Sequence, residues 1–392
     1  MRILFTFVGG NGHFQPVVPI AHAAEAAGHA VAFVSGFSMV STVEATGFTV
    51  FAVGPGAGRT PERGPLYALS TEREDHVLRE QFARRAAGIR ATGILALCTK
   101  WQPDLVVCEE MDFGGVIAAE RLDLPYATVL CIASGSFVRT EVVGEPLNEV
   151  RAEHGLPPDP ELEMLSRYLV LSPFPPSYRD PAFPLPATAH SLRPLAAAPT
   201  ADDAAPAWLA DLAGAPTVYF TLGTIFNMES GDLITRVLAG LRELSINVVV
   251  TVGRHIDPAE FGPQPANVHI ERYIPQATVL PLSTVVVSHG GSGSVIGALA
   301  HGLPMVLIPM GADQPQNAAR CGVLGVAEVL DAVEATPETV REAVSTVLAD
   351  PSYRLAAGRL REEIATLPDP AYAITLLERL AAGKRPVLRC LN

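Results

Sequence analysis

Short apolar runs and helix-like stretches alternate along the chain, and this alternation constrains the fold more than any other feature. Six runs rich in β-branched and aromatic residues occur in the first half, each followed by an alanine-rich helical pattern: RILFTFV, AVAFVS, FTVFAV, DLVVCE, YATVLCI and YLVLS. Strands that alternate with helices predict a parallel, doubly wound α/β sheet. The pattern starts again at residue 217 with TVYFTLG, INVVVTVG, VHIERY, TVVVSHGG, PMVLIPM and VAEVL. We therefore predict two similar α/β domains.

A proline-rich stretch separates the two halves. Residues 173–216 contain ten prolines together with the segment AAAPTADDAAPA. Proline lacks the backbone donor that a sheet interior or a long helix needs, so this stretch is predicted to contain a linker. The length of 392 residues allows each domain a full hydrophobic core.

The charge balance excludes several kinds of partner. The chain has 28 basic and 41 acidic residues, and the net charge of −13 repels nucleic-acid backbones and anionic lipid surfaces. No apolar run reaches the length of about 18 residues that a membrane span needs. We expect a cytoplasmic protein without stable membrane insertion, and the sequence leaves open whether it forms a homodimer. The cysteines show no CxxC or metal-like spacing, which fits a reducing compartment: Cys98, Cys108, Cys131, Cys321 and Cys390.

The first strand leads into a glycine-rich turn, FVGGNGHFQP, at residues 7–16. A dinucleotide-binding turn needs a third glycine and an acidic residue after the next strand. Here the third position is Gln15, and the second strand ends in Ser35 and Gly36. The turn is therefore predicted to serve another purpose, and it carries His13.

Two long segments of the first half have no clear pattern. They are residues 54–75, rich in glycine and proline, and the stretch from Ser134 to about Pro160, which mixes loop and helix signals. Long loops in a compact domain are usually functional or disordered. They are interpreted as walls of a substrate pocket at the carboxyl ends of the strands. The alternative is that they are surface loops that line no pocket.

The strongest motif spans residues 284–318, TVVVSHGGSGSVIGALAHGLPMVLIPMGADQPQNA. A buried strand ends at Ser288, and a glycine–serine turn then opens an alanine-rich helix. Such a turn leaves the first amides of the helix unpaired and lets a ligand approach the bare backbone, which suits a diphosphate. Serine also caps helices that bind nothing, so the turn gains its specificity from GADQPQNA downstream.

With these motifs the sequence resembles the inverting glycosyltransferases of the GT-B fold, in particular bacterial enzymes that glycosylate antibiotics of the macrolide type and other natural products. The resemblance covers essentially the whole chain and rests on GGNGHFQPVVPIAHAAEAAGHAV, VYFTLGT, YIPQATVLP and the long motif above. It implies two facing Rossmann-like domains with an interdomain cleft. The domains expected are an acceptor-binding domain at 1–205, a linker at 206–216, a donor-binding domain at 217–370 and a C-terminal helix at 371–392 packing back on the first domain.

The resemblance also implies a donor site. His289, Gly291 and Ser294 match the residues that bind the donor diphosphate, within a turn that includes Gly290, Ser292 and Gly293. Tyr273 and Gln276 match the positions that contact the nucleotide base, and Asp313 and Gln314 match the pair that holds the sugar hydroxyls. Thr221, Gly223 and Thr224 end the first strand of the second domain and are further candidates, although threonine is also common in strands for its β-propensity alone.

Position 297 bears on the nucleotide. In family members that use uridine diphosphate sugars, a glutamate at this position often accepts hydrogen bonds from the ribose hydroxyls. Here it is Gly297, so a ribose 2′-hydroxyl gains no partner. The sequence thus favours a thymidine diphosphate (dTDP) donor that carries a deoxysugar.

By the same resemblance His13 is the general base that takes a proton from the acceptor hydroxyl. Imidazole, with an ordinary pKa of about 6.5, suits that task if a neighbour stabilises the imidazolium. The family often places an aspartate after the fourth strand, where this chain has Glu109, with Glu110 and Asp112 nearby. Glu109 is the expected partner, and a solvated acidic loop is the alternative.

The expected reaction is therefore transfer of a sugar from a dTDP-sugar to a hydrophobic aglycone. The acceptor site is expected to include Leu66, Tyr67, Phe137 and Met164, which are also candidates for core residues. No cofactor and no metal site is expected, because no Asp-x-Asp pair or ligand cluster occurs at metal-site spacing. The alternatives are a nucleotide-sugar epimerase of the same fold and a non-catalytic auxiliary protein for another glycosyltransferase, although the intact donor motif and His13 argue against the latter.

Overall fold

The chain forms two compact units in the computed structural model, which describes residues 1–54, 62–195, 206–212 and 214–389. The first unit comprises Met1–Arg59, Thr71–Ala197 and Thr366–Asn392, and the second comprises Thr60–Ser70 and Ala198–Ala365. Three sequence features lie wholly or partly outside the described residues. They are the glycine-rich start of the 54–75 segment, part of the expected linker, and Cys390.

Within the described residues the first unit contains a sheet of seven parallel strands in the order β3-β2-β1-β4-β5-β6-β7. The strands are β1 (Arg2–Thr6), β2 (Ala30–Ser35), β3 (Thr49–Ala52), β4 (Leu105–Glu109), β5 (Tyr126–Val129), β6 (Val170–Ser172) and β7 (Ala189–Ser191). Along β1, Ile3 and Phe5 join one apolar cluster and Leu4 joins another. Both faces of the sheet are thus covered, which explains why its strands read as continuous apolar runs.

Helices flank this sheet on the two faces. They are α1 (Asn11–Phe14), α2 (Val18–Ala26), α3 (Val40–Glu44), α4 (Thr71–His76), α5 (Ala87–Trp101), α6 (Phe113–Arg121) and α7 (Thr140–Glu153). Between α4 and α5 the helix continues with π-helical turns over Val77–Ala86. The stretch from Ser134 to about Pro160, in which the sequence mixes loop and helix signals, contains the regular helix α7, with Val143 and Leu147 buried in the core.

The second unit repeats the architecture. Its described residues form a sheet of six parallel strands in the order β10-β9-β8-β11-β12-β13. The strands are β8 (Thr217–Thr221), β9 (Asn247–Thr251), β10 (Val268–Glu271), β11 (Val285–Ser288), β12 (Met305–Leu307) and β13 (Ala327–Val329). The helices are α8 (Leu233–Leu241), α9 (Gln276–Val279), α10 (Ser292–Ala300), α11 (Gln314–Val323), α12 (Pro337–Ala349) and α13 (Pro351–Thr366).

In both sheets the strand order reverses beside the first strand of the unit. β1 pairs with β2 and β4, and β8 pairs with β9 and β11. Open α/β sheets bind ligands at such a switch point, beyond the carboxyl ends of the strands. The prediction of two doubly wound parallel sheets is confirmed. All twelve predicted strands are present, whereas β7 was missed because it lies in the proline-rich stretch, where an edge strand tolerates flanking prolines.

One segment departs from the expected domain division. Residues 60–70 cluster with the second unit, although the sequence assigns them to a first domain spanning 1–205. The amide of Gly64 donates to the carbonyl of Met228 (2.8 Å), and Leu66 packs against the core of the second unit. The prediction was wrong here because such long-range contacts leave no local pattern in the sequence.

The C-terminal helix α14 (Pro370–Gly383) belongs to the first unit. Its residues Leu377 and Leu380 are fully buried and join the cluster that contains Phe5 and Ala21. At its surface the His29 ring nitrogen Nε2 contacts the Glu378 carboxylate at 3.1 Å. The first unit is thus built from the beginning and the end of the chain. No helix in the described ranges is both long enough and apolar enough to cross a membrane.

Candidate active site

The glycine turn after β1 accommodates the ring of His13. Gly9 has a φ of +87°, and a Cβ on it would lie 2.7 Å from Cδ2 of His13. A side chain at position 9 would therefore collide with the imidazole as well as strain the backbone. The turn brings bare backbone against the histidine ring, and α1 begins directly after it.

Glu109 is the carboxylate that holds His13. It ends β4, which pairs with β1 at the switch point. Its Oε1 lies 3.0 Å from His13 Nδ1 and also accepts the amide of Met111 (2.8 Å), while Oε2 accepts the amide of Val8 (3.4 Å). A carboxylate only accepts, so Nδ1 carries the proton in this contact and Nε2 is left as the acceptor nitrogen. Glu109 is fully buried, whereas the His13 side chain is 22% exposed.

The two neighbouring carboxylates have other partners. Glu110 accepts the amides of Cys131 and Ile132, both at 2.9 Å. Burial raises the pKa of Glu110, against an opposing effect from the Arg179 guanidinium. Asp112 caps α6 and forms a buried ion pair with Arg90. Of the three candidates in the sequence, Glu109 therefore lies where a base-orienting group is needed.

Two further side chains beside His13 were not identified from the sequence. The Cys131 thiol lies 2.7 Å from Glu109 Oε1 and 3.7 Å from His13 Nδ1. The ring of Phe82 stacks on the His13 ring with centroids 6.3 Å apart. Phe82 lies in the π-helical turns, a rare feature that often marks functional sites. Neither residue has a local signal, because the fold brings both from distant parts of the chain.

The four expected acceptor residues belong to different units, two to each. Met164 is fully buried in the core of the first unit, and Phe137 is a core residue as well. Leu66 packs in the second unit, where Tyr67 is 54% exposed. Met164 therefore cannot line an open pocket, and the expectation was wrong for it because apolar composition does not distinguish a pocket wall from a core.

In the second unit the glycine–serine turn of the long motif forms the start of α10. Gly291 is the N-cap residue, and no side chain caps the helix. His289 precedes it and is buried between two glycines: a Cβ on Gly223 would lie 2.7 Å from its ring, and one on Gly291 would lie 2.6 Å from it. Nδ1 of His289 is buried without a hydrogen-bond partner among the described residues. Such an unsatisfied buried atom suits a ligand group.

Burial also fixes the charge of His289. It lowers the pKa of this histidine to about 4, against a smaller raising effect from a hydrogen bond to the Thr221 backbone. The ring is therefore neutral at neutral pH. A neutral imidazole has one N–H, which it can donate either to the Thr221 carbonyl or to a phosphate oxygen.

The expected sugar-binding pair is linked to the α10 turn. Asp313 Oδ2 accepts from the Ser292 hydroxyl (2.6 Å) and from the Asn317 amide (2.8 Å). The same amide nitrogen also lies within hydrogen-bond distance of the carbonyl of Gly290 (3.0 Å). Gln314 is buried, and its Oε1 accepts the amides of Met310 and Gly311. Asn317 is a connecting residue that the sequence analysis missed, although it lies inside the quoted motif.

The remaining predicted donor residues surround the same end of the sheet. Tyr273 is 41% exposed, and the Arg254 guanidinium lies 4.4 Å from its ring centroid. Gln276 donates to the Ser294 hydroxyl (3.4 Å). Thr221 is buried, and its hydroxyl accepts the amide of Gly223 (3.3 Å). The others are the exposed Thr224 and Gly293, and Gly290 with a φ of +84°.

Comparisons with known proteins give consistent matches. The family model described as erythromycin biosynthesis protein CIII-like matches with its N-terminal domain at residues 22–218 and its C-terminal domain at 235–380. Tylactone mycaminosyltransferase from Streptomyces fradiae is 29% identical, with 98% of this chain and 93% of the relative covered. TDP-daunosamine transferase DnrS from Streptomyces peucetius is 28% identical, with 98% of each covered. The glycosyltransferase SnogD from Streptomyces nogalater has a TM-score of 0.78 and 27% identity over 97% of this chain and 99% of that one.

Proposed function

The chain belongs to the erythromycin biosynthesis protein CIII-like family of glycosyltransferases, and from this premise we propose that it is an inverting enzyme that transfers a sugar, by preference a deoxysugar, from a dTDP donor to a hydroxyl group of an apolar natural product. The names of two relatives support the donor and the acceptor class in this proposal. One is a transferase that acts on tylactone, and another is a TDP-daunosamine transferase.

The hydrogen bond between His13 and Glu109 carries the proposal. With Nδ1–H donated to a buried carboxylate, Nε2 is the nitrogen that can take a proton from an acceptor hydroxyl. Glu109 then stabilises the imidazolium that forms and keeps the ring oriented. The amides of Met111 and Val8 fix the carboxylate in turn, so the base is preorganised.

Apolar groups next to the base support an apolar acceptor. Phe82 stacks on His13, and Phe82 and Val8 are partly buried against the same apolar cluster. Water is poorly accommodated beside such side chains. The acceptor oxygen would therefore be deprotonated in surroundings that favour an aglycone over bulk solvent.

The α10 turn supports binding of the leaving diphosphate. The helix start supplies backbone N–H groups and the positive end of the helix dipole, and His289 adds one neutral donor. Asp313, fixed by Ser292 and Asn317, is the group we assign to the sugar hydroxyls. We propose that this set of backbone and side-chain donors stabilises the leaving group without a divalent metal.

The test is nucleotide release measured with and without an acceptor. A dTDP-deoxysugar is incubated with the purified chain and a pool of apolar aglycones, and dTDP and glycosides are measured by mass spectrometry. We expect release of dTDP that depends on the acceptor. Conversion of the donor without acceptor would indicate an epimerase, and neither reaction would indicate a non-catalytic protein.

Variants of the two residues test the mechanism. His13→Ala should lower kcat by about 10²- to 10⁴-fold, the usual contribution of a general base, with donor affinity retained. Glu109→Gln should lower kcat by a smaller factor, because the amide keeps the shape of the carboxylate but not its charge. Glu110→Gln is the matched control, since the Glu110 carboxylate accepts the amides of Cys131 and Ile132. A His13→Ala enzyme with more than about a third of the original kcat would refute the assignment.

A further inference from the structure

Three ligating atoms meet beside the proposed base. His13 Nδ1, Glu109 Oε1 and Cys131 Sγ all lie within 4.8 Å of one another. The sulfur–nitrogen distance is 3.7 Å, the nitrogen–oxygen distance 3.0 Å and the sulfur–oxygen distance 2.7 Å. With zinc bonds of about 2.0–2.3 Å, the ligand atoms of a tetrahedral site lie about 3.3–3.6 Å apart. The observed triangle needs only the oxygen to move away, by less than about 1 Å.

We propose that His13, Glu109 and Cys131 form a binding site for a thiophilic divalent cation, with Zn²⁺ as the ion whose ligand preferences fit best. Imidazole nitrogen, thiolate sulfur and carboxylate oxygen are its usual protein ligands. Three protein ligands leave a fourth position for water, and the partly exposed side chain of His13 gives access from solvent. Glu109 ends β4, whereas His13 and Cys131 follow β1 and β5, which is why the spacing in the sequence predicted no metal site.

The charges of this set suit a buried site. Zn²⁺ is balanced by the Cys131 thiolate and the Glu109 carboxylate, so the occupied site is neutral overall. Binding releases the thiol proton to solvent. The imidazole stays neutral, but its proton moves from Nδ1 to Nε2, because Nδ1 must give its lone pair to the metal.

This change of tautomer has a consequence that rests on the proposed function. Once Nε2 carries the proton, it cannot accept another from an acceptor hydroxyl. The metal also takes the place of the His13–Glu109 hydrogen bond. Zn²⁺ should therefore inhibit glycosyl transfer by removing the base, without competing for the donor nucleotide.

The site is tested first without any activity. The full chain is titrated with Co²⁺, which reports thiolate ligation by its charge-transfer absorption, and with Zn²⁺ by calorimetry in two buffers of different ionisation enthalpy. We expect the thiolate band and release of about one proton per Zn²⁺. Cys131→Ser and Cys131→Ala should abolish the band and weaken Zn²⁺ binding by at least about 10-fold.

Cys98→Ser is the matched control. Cys98 is a buried thiol of the same unit that lies outside the cluster of His13, Glu109 and Cys131, so it should not ligate. A band absent from the original chain, or one that persists in the Cys131 variants, would overturn the proposal. Circular dichroism establishes that each variant is folded before it is titrated.

Inhibition is then measured with the dTDP-release assay, each variant being normalised to its own metal-free rate. We expect Zn²⁺ to inhibit the original chain and Cys98→Ser at concentrations at least about 10-fold below those needed for Cys131→Ala. Undiminished turnover with the metal bound would refute the inhibition. A cobalt band in a chain without any transferase activity would support the metal site and refute the proposed function, so the two failures are distinct.

Discussion

His13 and His289 follow the first strand and a central strand of their respective sheets, but their surroundings give them opposite properties. His13 is partly exposed and hydrogen-bonded to a carboxylate, so a protonated ring would be stabilised. His289 is enclosed by Gly223 and Gly291, and burial lowers its pKa to about 4. The first is equipped to gain and lose a proton, whereas the second is kept neutral as a fixed donor.

The neutral state of His289 should make the second unit sensitive to acid. In the unfolded chain this histidine has a pKa of about 6.5, and in the folded chain its pKa is about 4. Between pH 6.5 and pH 4, unfolding is therefore accompanied by uptake of a proton. The stability that His289 contributes is complete above pH 6.5 and declines as the pH falls, by about 3 kcal/mol down to pH 4.

His289→Gln removes this titration while retaining a polar group of similar size. Urea unfolding is followed through Trp208 of the second unit in a Trp101→Phe background, at several pH values between 7 and 4. The difference in free energy of unfolding between the two proteins should shrink as the pH falls. A difference that stays constant would contradict the assignment, since all other titrating groups are common to both.

At the scale of elements, the residues at the carboxyl ends of β1 and β4 were better predictors of the site than the residues of other segments. Because β1 and β4 are neighbours in a doubly wound sheet, the motif after β1 and the acid after β4 had to meet, and the sequence indicated both. Glu109 was the expected partner of His13, with Glu110 and Asp112 nearby in the sequence, and Asp112 is instead paired with Arg90. Cys131 and Phe82 could not be identified, because their proximity to His13 depends on how β5 and the π-helical turns pack.

Helix α10 should contribute to nucleotide selectivity through Gly297. A Cβ at this position would lie 3.3 Å from the end of the Leu280 side chain and 3.4 Å from Gln276 Oε1, so the flexible ends of two side chains border the position and no carboxylate is offered there. A ribose 2′-hydroxyl buried without a partner costs about 1–3 kcal/mol. We therefore expect dTDP to bind about 10-fold or more tightly than uridine diphosphate.

Calorimetric titration with the two free nucleotides measures this ratio directly. Gly297→Glu supplies the missing acceptor and should reduce the preference, whereas Gly293→Ala, at an exposed position of the same helix, should not. Equal affinities for the two nucleotides, or tighter binding of uridine diphosphate, would show that Gly297 does not determine selectivity.

At the scale of the whole molecule, the first unit depends on a helix that is more than 200 residues distant in sequence from most of its sheet. Leu377→Ala in α14 removes a fully buried side chain and should cost about 2–5 kcal/mol of stability in the first unit. Leu355→Ala in α13 is the matched control, because Leu355 is 64% exposed and the same substitution should cost less than about 0.5 kcal/mol.

Trp101 reports unfolding of the first unit in a Trp208→Phe background. Leu377→Ala should shift this transition, whereas the control should leave it in place. Equal shifts for the two variants would mean that α14 does not stabilise the first unit.

The architecture of each sheet was predictable from its apolar runs. The assignment of residues 60–70 to the second unit was not predictable, because it depends on contacts such as that of Gly64 with Met228.

The position of α14 after the second unit in the sequence sets an order for folding on the ribosome. All strands of the first unit have emerged by residue 191, yet the apolar face around Phe5 and Ala21 lacks its cover until Leu377 and Leu380 are synthesised. Residues 198–365 are complete before that point and can fold first. At about 5–20 residues per second, the nascent first unit waits many seconds with this face uncovered. Most of the first unit is therefore synthesised before the second unit but completed only after it, and during that wait its uncovered apolar face is the part of the nascent chain that a chaperone would bind.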